Sequence, residues 1–141
     1  MTIKVLVVDD EEVVRSGLRM ILGAAPDLEV VAATGGGDAV AAVREHHPDV
    51  VLLDIRMPDV DGLTVLAQLR GLPEPPAVAM LTTFDADEYV MTALRDGAAG
   101  FLLKDTDPED MANLVRTLAS GGVVMSPTAY RTMWRTLDSE R

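Results

Sequence analysis

The chain has 141 residues, 48% of them apolar, and no cysteine, so it can build one cored domain but no disulfide, thiolate metal site or cysteine nucleophile. A formal charge of −11 argues against direct binding to nucleic-acid phosphates. Asp9 and Asp10 cut the N-terminal apolar run short and no run approaches a membrane span, so the chain reads as a soluble cytoplasmic protein with no membrane partner.

Two apolar patterns alternate along the chain. Residues 3–8, 28–33, 49–53, 77–81 and 100–103 are short runs, mostly of Val, Ile, Leu and Ala. They lack strict period-two alternation, which predicts strands covered on both faces. Helical stripes lie between them: Val14, Leu18, Ile21 and Leu22; Val40 and Val43; Leu63, Leu66 and Leu69; Val90, Ala93 and Leu94; and Met111, Leu114, Val115 and Leu118. Gly35-Gly36-Gly37 punctuates the second strand-to-helix connection, and Gly62 is placed at the start of the third helix. Gly97 and Gly121 fall where helices end in a left-handed residue. Asp107 before Pro108 predicts a side-chain cap on the fifth helix.

After Gly122, the pair Ser126-Pro127 predicts a cap and a sixth helix. Tyr130, Met133, Trp134 and Leu137 share one face of it, which packs on its own domain or forms a dimer or interdomain contact. The alternation predicts an α/β fold with a doubly wound, flavodoxin-like sheet of five parallel strands in the order 2-1-3-4-5.

In such a sheet, ligands bind beyond the C-terminal strand ends, near the switch point. Asp9 and Asp10 follow the first strand, Asp54 the third, Thr82 and Thr83 the fourth, and Lys104 the fifth. The first and third strands are neighbours in the predicted order, so three carboxylates converge near a hydroxyl and an ammonium. Two carboxylates ~5 Å apart repel by roughly 3 kcal/mol at an effective dielectric near 20. An open cluster of hard oxygen ligands suits Mg2+, which accepts phosphate oxygens as well. Lys104 and the Thr82 hydroxyl are placed to hold other phosphoryl oxygens, which completes what phosphoryl transfer needs.

Each residue alone has an ordinary reading. Asp9 and Asp10 serve equally well as helix caps, Asp54 as a loop aspartate and Thr82 as a strand residue. Lys104, one of two lysines in the chain, serves as a solvated strand end. Their joint placement at one sheet edge favours a site.

Val7-Val8-Asp9-Asp10, Asp54-Ile55-Arg56-Met57-Pro58 with Asp61-Gly62, Leu81-Thr82-Thr83, and Gly100-Phe101-Leu102-Leu103-Lys104 resemble the receiver family of two-component response regulators. The resemblance covers about residues 1–121. Gly97-Ala98-Ala99-Gly100-Phe101 and the Ser126-Pro127 helix resemble the NarL/FixJ (LuxR-type) subfamily. It implies that Asp54 accepts a phosphoryl group from a sensor histidine kinase. Asp10, Asp54 and the backbone carbonyl of Arg56 would ligate Mg2+, with Asp9 acting in the same metal site. Lys104 and Thr82 would hold the phosphoryl group, and Phe101 would turn inward as Thr82 shifts. Phosphorylation would promote a homodimer through helix 4, strand 5 and helix 5.

The resemblance further implies a switch that catalyses only its own phosphoryl transfer and autodephosphorylation. A Mg2+-dependent phosphatase would need a second aspartate where Arg56 stands. Arg56 and Phe84 occupy positions where the family varies. The family often has proline after the lysine; here Asp105 follows, which leaves the geometry of that peptide open. Residues 122–141 are expected to be a linker helix toward a DNA-binding effector domain that is absent from this chain. The alternative is a natural single-domain or degenerate receiver that works as a binding module.

Overall fold

The computed structural model describes residues 2–58, 60–82 and 87–139, with the main chain alone at 87, 88 and 128. The elements run β1 (Ile3–Val8), α1 (Glu12–Gly23), β2 (Leu28–Thr34), α2 (Ala39–His46), β3 (Val50–Asp54), α3 (Gly62–Arg70), β4 (Ala77–Thr82), α4 (Asp87–Arg95), β5 (Gly100–Leu103), α5 (Pro108–Ala119), β6 (Val124–Met125) and α6 (Pro127–Ser139). All strands pair in parallel, in the order β2-β1-β3-β4-β5-β6.

Alternate residues of the central strands feed two cores, which explains the unbroken apolar runs. Leu6, Val8, Val51, Leu53, Val78, Met80 and Phe101 pack with α2, α3 and α4. Val5, Val7, Val50, Leu52, Ala79, Leu81 and Leu102 pack with α1 and α5 on the other face. The helical stripes supply the opposing surfaces through Leu18 and Leu22, Leu66 and Leu69, Val90 and Ala93, and Met111, Val115 and Leu118.

The sheet has six strands rather than five. Val124 and Met125 pair with Gly100 and Phe101, and the Ser126 N–H extends the ladder to the Phe101 carbonyl at 3.0 Å. A two-residue strand is too short to show any period. Gly100 is needed for the join, because a Cβ there would stand 2.2 Å from the Val124 carbonyl oxygen.

Gly97 and Gly121 have φ of 96° and 92°, the left-handed geometry expected past a helix. Ser126 caps α6, its Oγ accepting the Ala129 N–H at 3.2 Å. Asp107 makes no capping bond through its side chain. Residues 107–110 are all exposed, so the N–H groups of that first turn stand open to solvent.

The sixth helix docks through a different face from its aromatic stripe. Ala129 is inaccessible and joins the core that holds Phe101, Val90 and Ala93. Tyr130, Trp134 and Leu137 remain 50%, 46% and 40% exposed, and Met133 is half-buried. Small residues win the inner face because β6 brings the start of α6 close to α4.

Candidate functional site

Strand register brings the chemistry to one edge. Val8 pairs with Leu53, Asp54 with Leu81, and Thr82 with Leu103. Asp9, Asp54, Thr82 and Lys104 therefore stand at the C-terminal ends of four adjacent strands.

Asp9 and Asp54 are buried, whereas Asp10 is exposed. One carboxylate oxygen from each of the three lies within 4.8 Å of the others. The Lys104 ammonium sits 2.7 Å from Asp9 Oδ2 and 3.3 Å from Asp54 Oδ1. Asp9 Oδ1 accepts the Glu11 N–H at 2.9 Å, and Asp54 Oδ1 lies 3.3 Å from the Arg56 N–H. Asp9 Oδ2 has the ammonium as an ion-pair partner but no hydrogen bond of good geometry. Asp9 thus braces the turn into α1 with one oxygen and turns the other into the cluster.

Burial pushes the Asp54 carboxyl up to about 6, the neighbouring Asp9 charge pushes it the same way, and Lys104 offsets part of this. Burial also works against a charged Lys104, but Asp9 and Asp54 outweigh it and raise the ammonium above its ordinary value. Among the described residues, Lys104 thus faces both buried carboxylates, and the proton affinity of Asp54 still rises beside it.

Thr82 is buried at the end of β4, its carbonyl accepting the Lys104 N–H at 2.7 Å. Phe101 is inaccessible and already faces inward with Val90 and Ala93 of α4, the position the resemblance reserves for the state in which Thr82 has shifted. Thr83 and Phe84 lie outside the described residues. The Lys104–Asp105 peptide is trans.

Gly62 lets α3 start against the end of β3. A Cβ there would meet the Asp54 carbonyl oxygen at 2.3 Å and the Ile55 Cα at 2.8 Å. Asp61 caps the helix by accepting the Leu63 N–H at 3.1 Å.

Sequence reasoning missed two contacts. Arg15 reaches back from α1, its Nη1 donating to the Asp9 carbonyl at 2.6 Å. Its only sequence signal is a helical position six residues after Asp9. The Arg56 side chain stands over the ring of Tyr89, a contact no sequence spacing announces.

Buried carboxylates beside a lysine and a strand-end threonine, at the edge of a doubly wound sheet, are the groups that phosphoryl chemistry draws on. Residues 5–116 match the response regulator receiver domain, and the chain belongs to that family. It is 41% identical over 126 residues to the transcriptional regulatory protein UhpA of Escherichia coli, covering 89% of this chain and 63% of that protein. It is 40% identical over 128 residues to the response regulator VraR of Staphylococcus aureus, covering 90% of this chain and 61% of VraR. The chain thus spans less than two thirds of these relatives. A LuxR-family two-component response regulator from Aurantimonas sp. SI85-9A1 superposes with a TM-score of 0.87 at 26% identity, covering 96% of this chain and 98% of that one. A DNA-binding response regulator of the LuxR family from Staphylococcus aureus gives 0.76 at 28% identity, covering 83% and 98%. Receiver domains are signalling switches of two-component systems, and this chain is one of the LuxR/NarL type.

Proposed function

We propose that Asp54 takes a phosphoryl group from a sensor histidine kinase and that residues 1–121 form the switch, with 122–141 linking it to a DNA-binding effector. The observation that carries this is the buried cluster of Asp9, Asp54 and Lys104, with Asp10 beside it at the open edge.

The donor set fits Mg2+: hard oxygens close together, one of them buried without a well-formed hydrogen bond. Asp10, Asp54 and the Arg56 carbonyl would hold the ion, with Asp9 beside them. When bound it would neutralise carboxylate charge and orient phosphoryl oxygens. The Asp54 oxygen attacks phosphorus and forms the new O–P bond. The bond to the donor's leaving group breaks, and that group departs with the electron pair. Lys104 then pairs with a phosphoryl oxygen, and Thr82 donates its hydroxyl to another. Movement of Thr82 toward the phosphoryl group is transmitted to the inward Phe101 and to the surface of α4, β5 and α5, where the phosphorylated protein pairs as a homodimer. The same residues release the phosphoryl group to water in autodephosphorylation.

Incubation with Mg2+ and acetyl phosphate is expected to add one phosphoryl group, read as intact mass. A protein that gains nothing from acetyl phosphate or from histidine kinases contradicts the assignment. Sedimentation of the labelled sample tests the dimer, and a monomer at high concentration counts against it.

Metal binding has its own test. Mg2+ at ten times its Kd is expected to stabilise the fold by about 1.4 kcal/mol. Asp10→Ala is expected to weaken the affinity at least tenfold in a calorimetric titration. Unchanged affinity would remove Asp10 from the metal site.

A further inference from the structure

The guanidinium carbon of Arg56 lies 5.8 Å from the centroid of the Tyr89 ring, within cation–π range. Tyr89 is half-buried in the first turn of α4. The next residue, Val90, and Ala93 pack in the same core as Phe101 and Ala129. The main-chain N–H of Arg56 meanwhile approaches Asp54 Oδ1 at 3.3 Å. Arg56 therefore meets the candidate acceptor through its backbone and α4 through its side chain.

We propose that Tyr89 is a positioning residue of the acceptor site: it docks the Arg56 guanidinium on α4 in the unphosphorylated protein and yields it to the phosphoryl group once Asp54 carries one. This deepens the reading of Asp54 as phosphoacceptor and rests on it. A phosphoryl group brings roughly −1.5 to −2 charge. A planar guanidinium forms paired, charge-assisted hydrogen bonds to such oxygens. The ring face offers only its quadrupole, which at an exposed site corresponds to about a 2- to 5-fold preference. The guanidinium moves to the stronger partner, and the first turn of α4 loses a tie to the loop between β3 and α3. Phe101 on β5 reports on the site from inside the core, and Tyr89 reports from the first turn of α4, the helix that Phe101 packs against.

Because the ring competes with the phosphoryl group, its removal raises affinity for a phosphoryl-like ligand. Beryllofluoride, a tetrahedral stand-in for the phosphoryl group, is titrated calorimetrically in Mg2+. The proteins are the parent, Tyr89→Phe, Tyr89→Leu, Arg56→Gln and the double variant; Arg56→Gln keeps the main-chain carbonyl. Tyr89→Leu is expected to lower half-saturation about 2- to 5-fold. Tyr89→Phe is expected to match the parent, and Tyr89→Leu is expected to have no effect in the Arg56→Gln background. Equal half-saturation in the parent and Tyr89→Leu, or the same shift in the Arg56→Gln background, overturns the docking role. Should Tyr89→Leu fail to fold, Tyr89→Gln removes the ring in its place and is held to the same outcomes. A parent that binds no beryllofluoride overturns the reading of Asp54 itself, and the docking role with it.

Discussion

Asp54→Asn is expected to abolish phosphoryl uptake from acetyl phosphate and, without divalent metal, to make the protein more stable than the parent at neutral pH. The first effect follows from chemistry, since an amide offers no anionic oxygen to attack phosphorus. Label at the parental level in the variant would move the acceptor elsewhere.

The second effect follows from the carboxyl's raised proton affinity. Folding lifts Asp54 from 3.8 to about 6, through burial first and the Asp9 charge second. Between about pH 4 and 6 the native state keeps a proton that the unfolded chain has lost. Stability therefore falls as pH rises through that window, and the whole penalty is in place above it. The shift corresponds to about 1–3 kcal/mol. Asparagine carries no charge and escapes it, while Lys104 keeps Asp9 at 2.7 Å as a partner. Denaturant titrations at pH 7.5 and below pH 4 read the effect directly. The variant's advantage is expected at the higher pH and should vanish at the lower one. A parent equal to or more stable than Asp54→Asn at pH 7.5 would mean that the cluster already compensates its own charge. Adding Mg2+ is expected to shrink the gap, because only the parent retains all three carboxylates.

Gly62→Ala is expected to destabilise the fold by about 2–4 kcal/mol, from overpacking and a strained hydrogen bond. The new methyl group would overlap main-chain atoms of Asp54 and Ile55, and main chain cannot rotate out of the way as a side chain can. Either α3 retreats, stretching the Gly62 N–H bond to the Ile55 carbonyl at 3.2 Å, or the end of β3 shifts and carries Asp54 with it. Phosphoryl uptake is therefore expected to slow together with the loss of stability. Gly17→Ala is the control. That glycine lies inside α1 with nothing within 4 Å of the added carbon, so a gain of about 0.5–1 kcal/mol is expected. Equal denaturation midpoints for Gly62→Ala and the parent would show that α3 has more freedom at its start than this close approach implies.

The alternation of five apolar runs with helical stripes was legible from the residues alone. A strand buried on both faces must be apolar throughout, and a helix against a sheet must carry a stripe. The site was legible for a related reason. Asp9, Asp54, Thr82 and Lys104 each close a strand, and a parallel sheet delivers all its strand ends to one edge. The family resemblance then attached roles to those positions, which spacing alone could not do.

Tertiary structure decided what depends on neighbours remote in sequence. Val124 and Met125 became a strand only because β5 offers a free edge beside them. α6 turned Ala129 inward and left Tyr130 and Trp134 outside because α4 leaves room for a small residue there. Asp54 acquired its raised proton affinity from burial and from Asp9 across a strand boundary, and Arg56 found Tyr89 on another helix. Local patterning specifies which segments become strands and helices and which residues stand at their ends. Electrostatics and side-chain partners are set by distances that exist only once the sheet has closed.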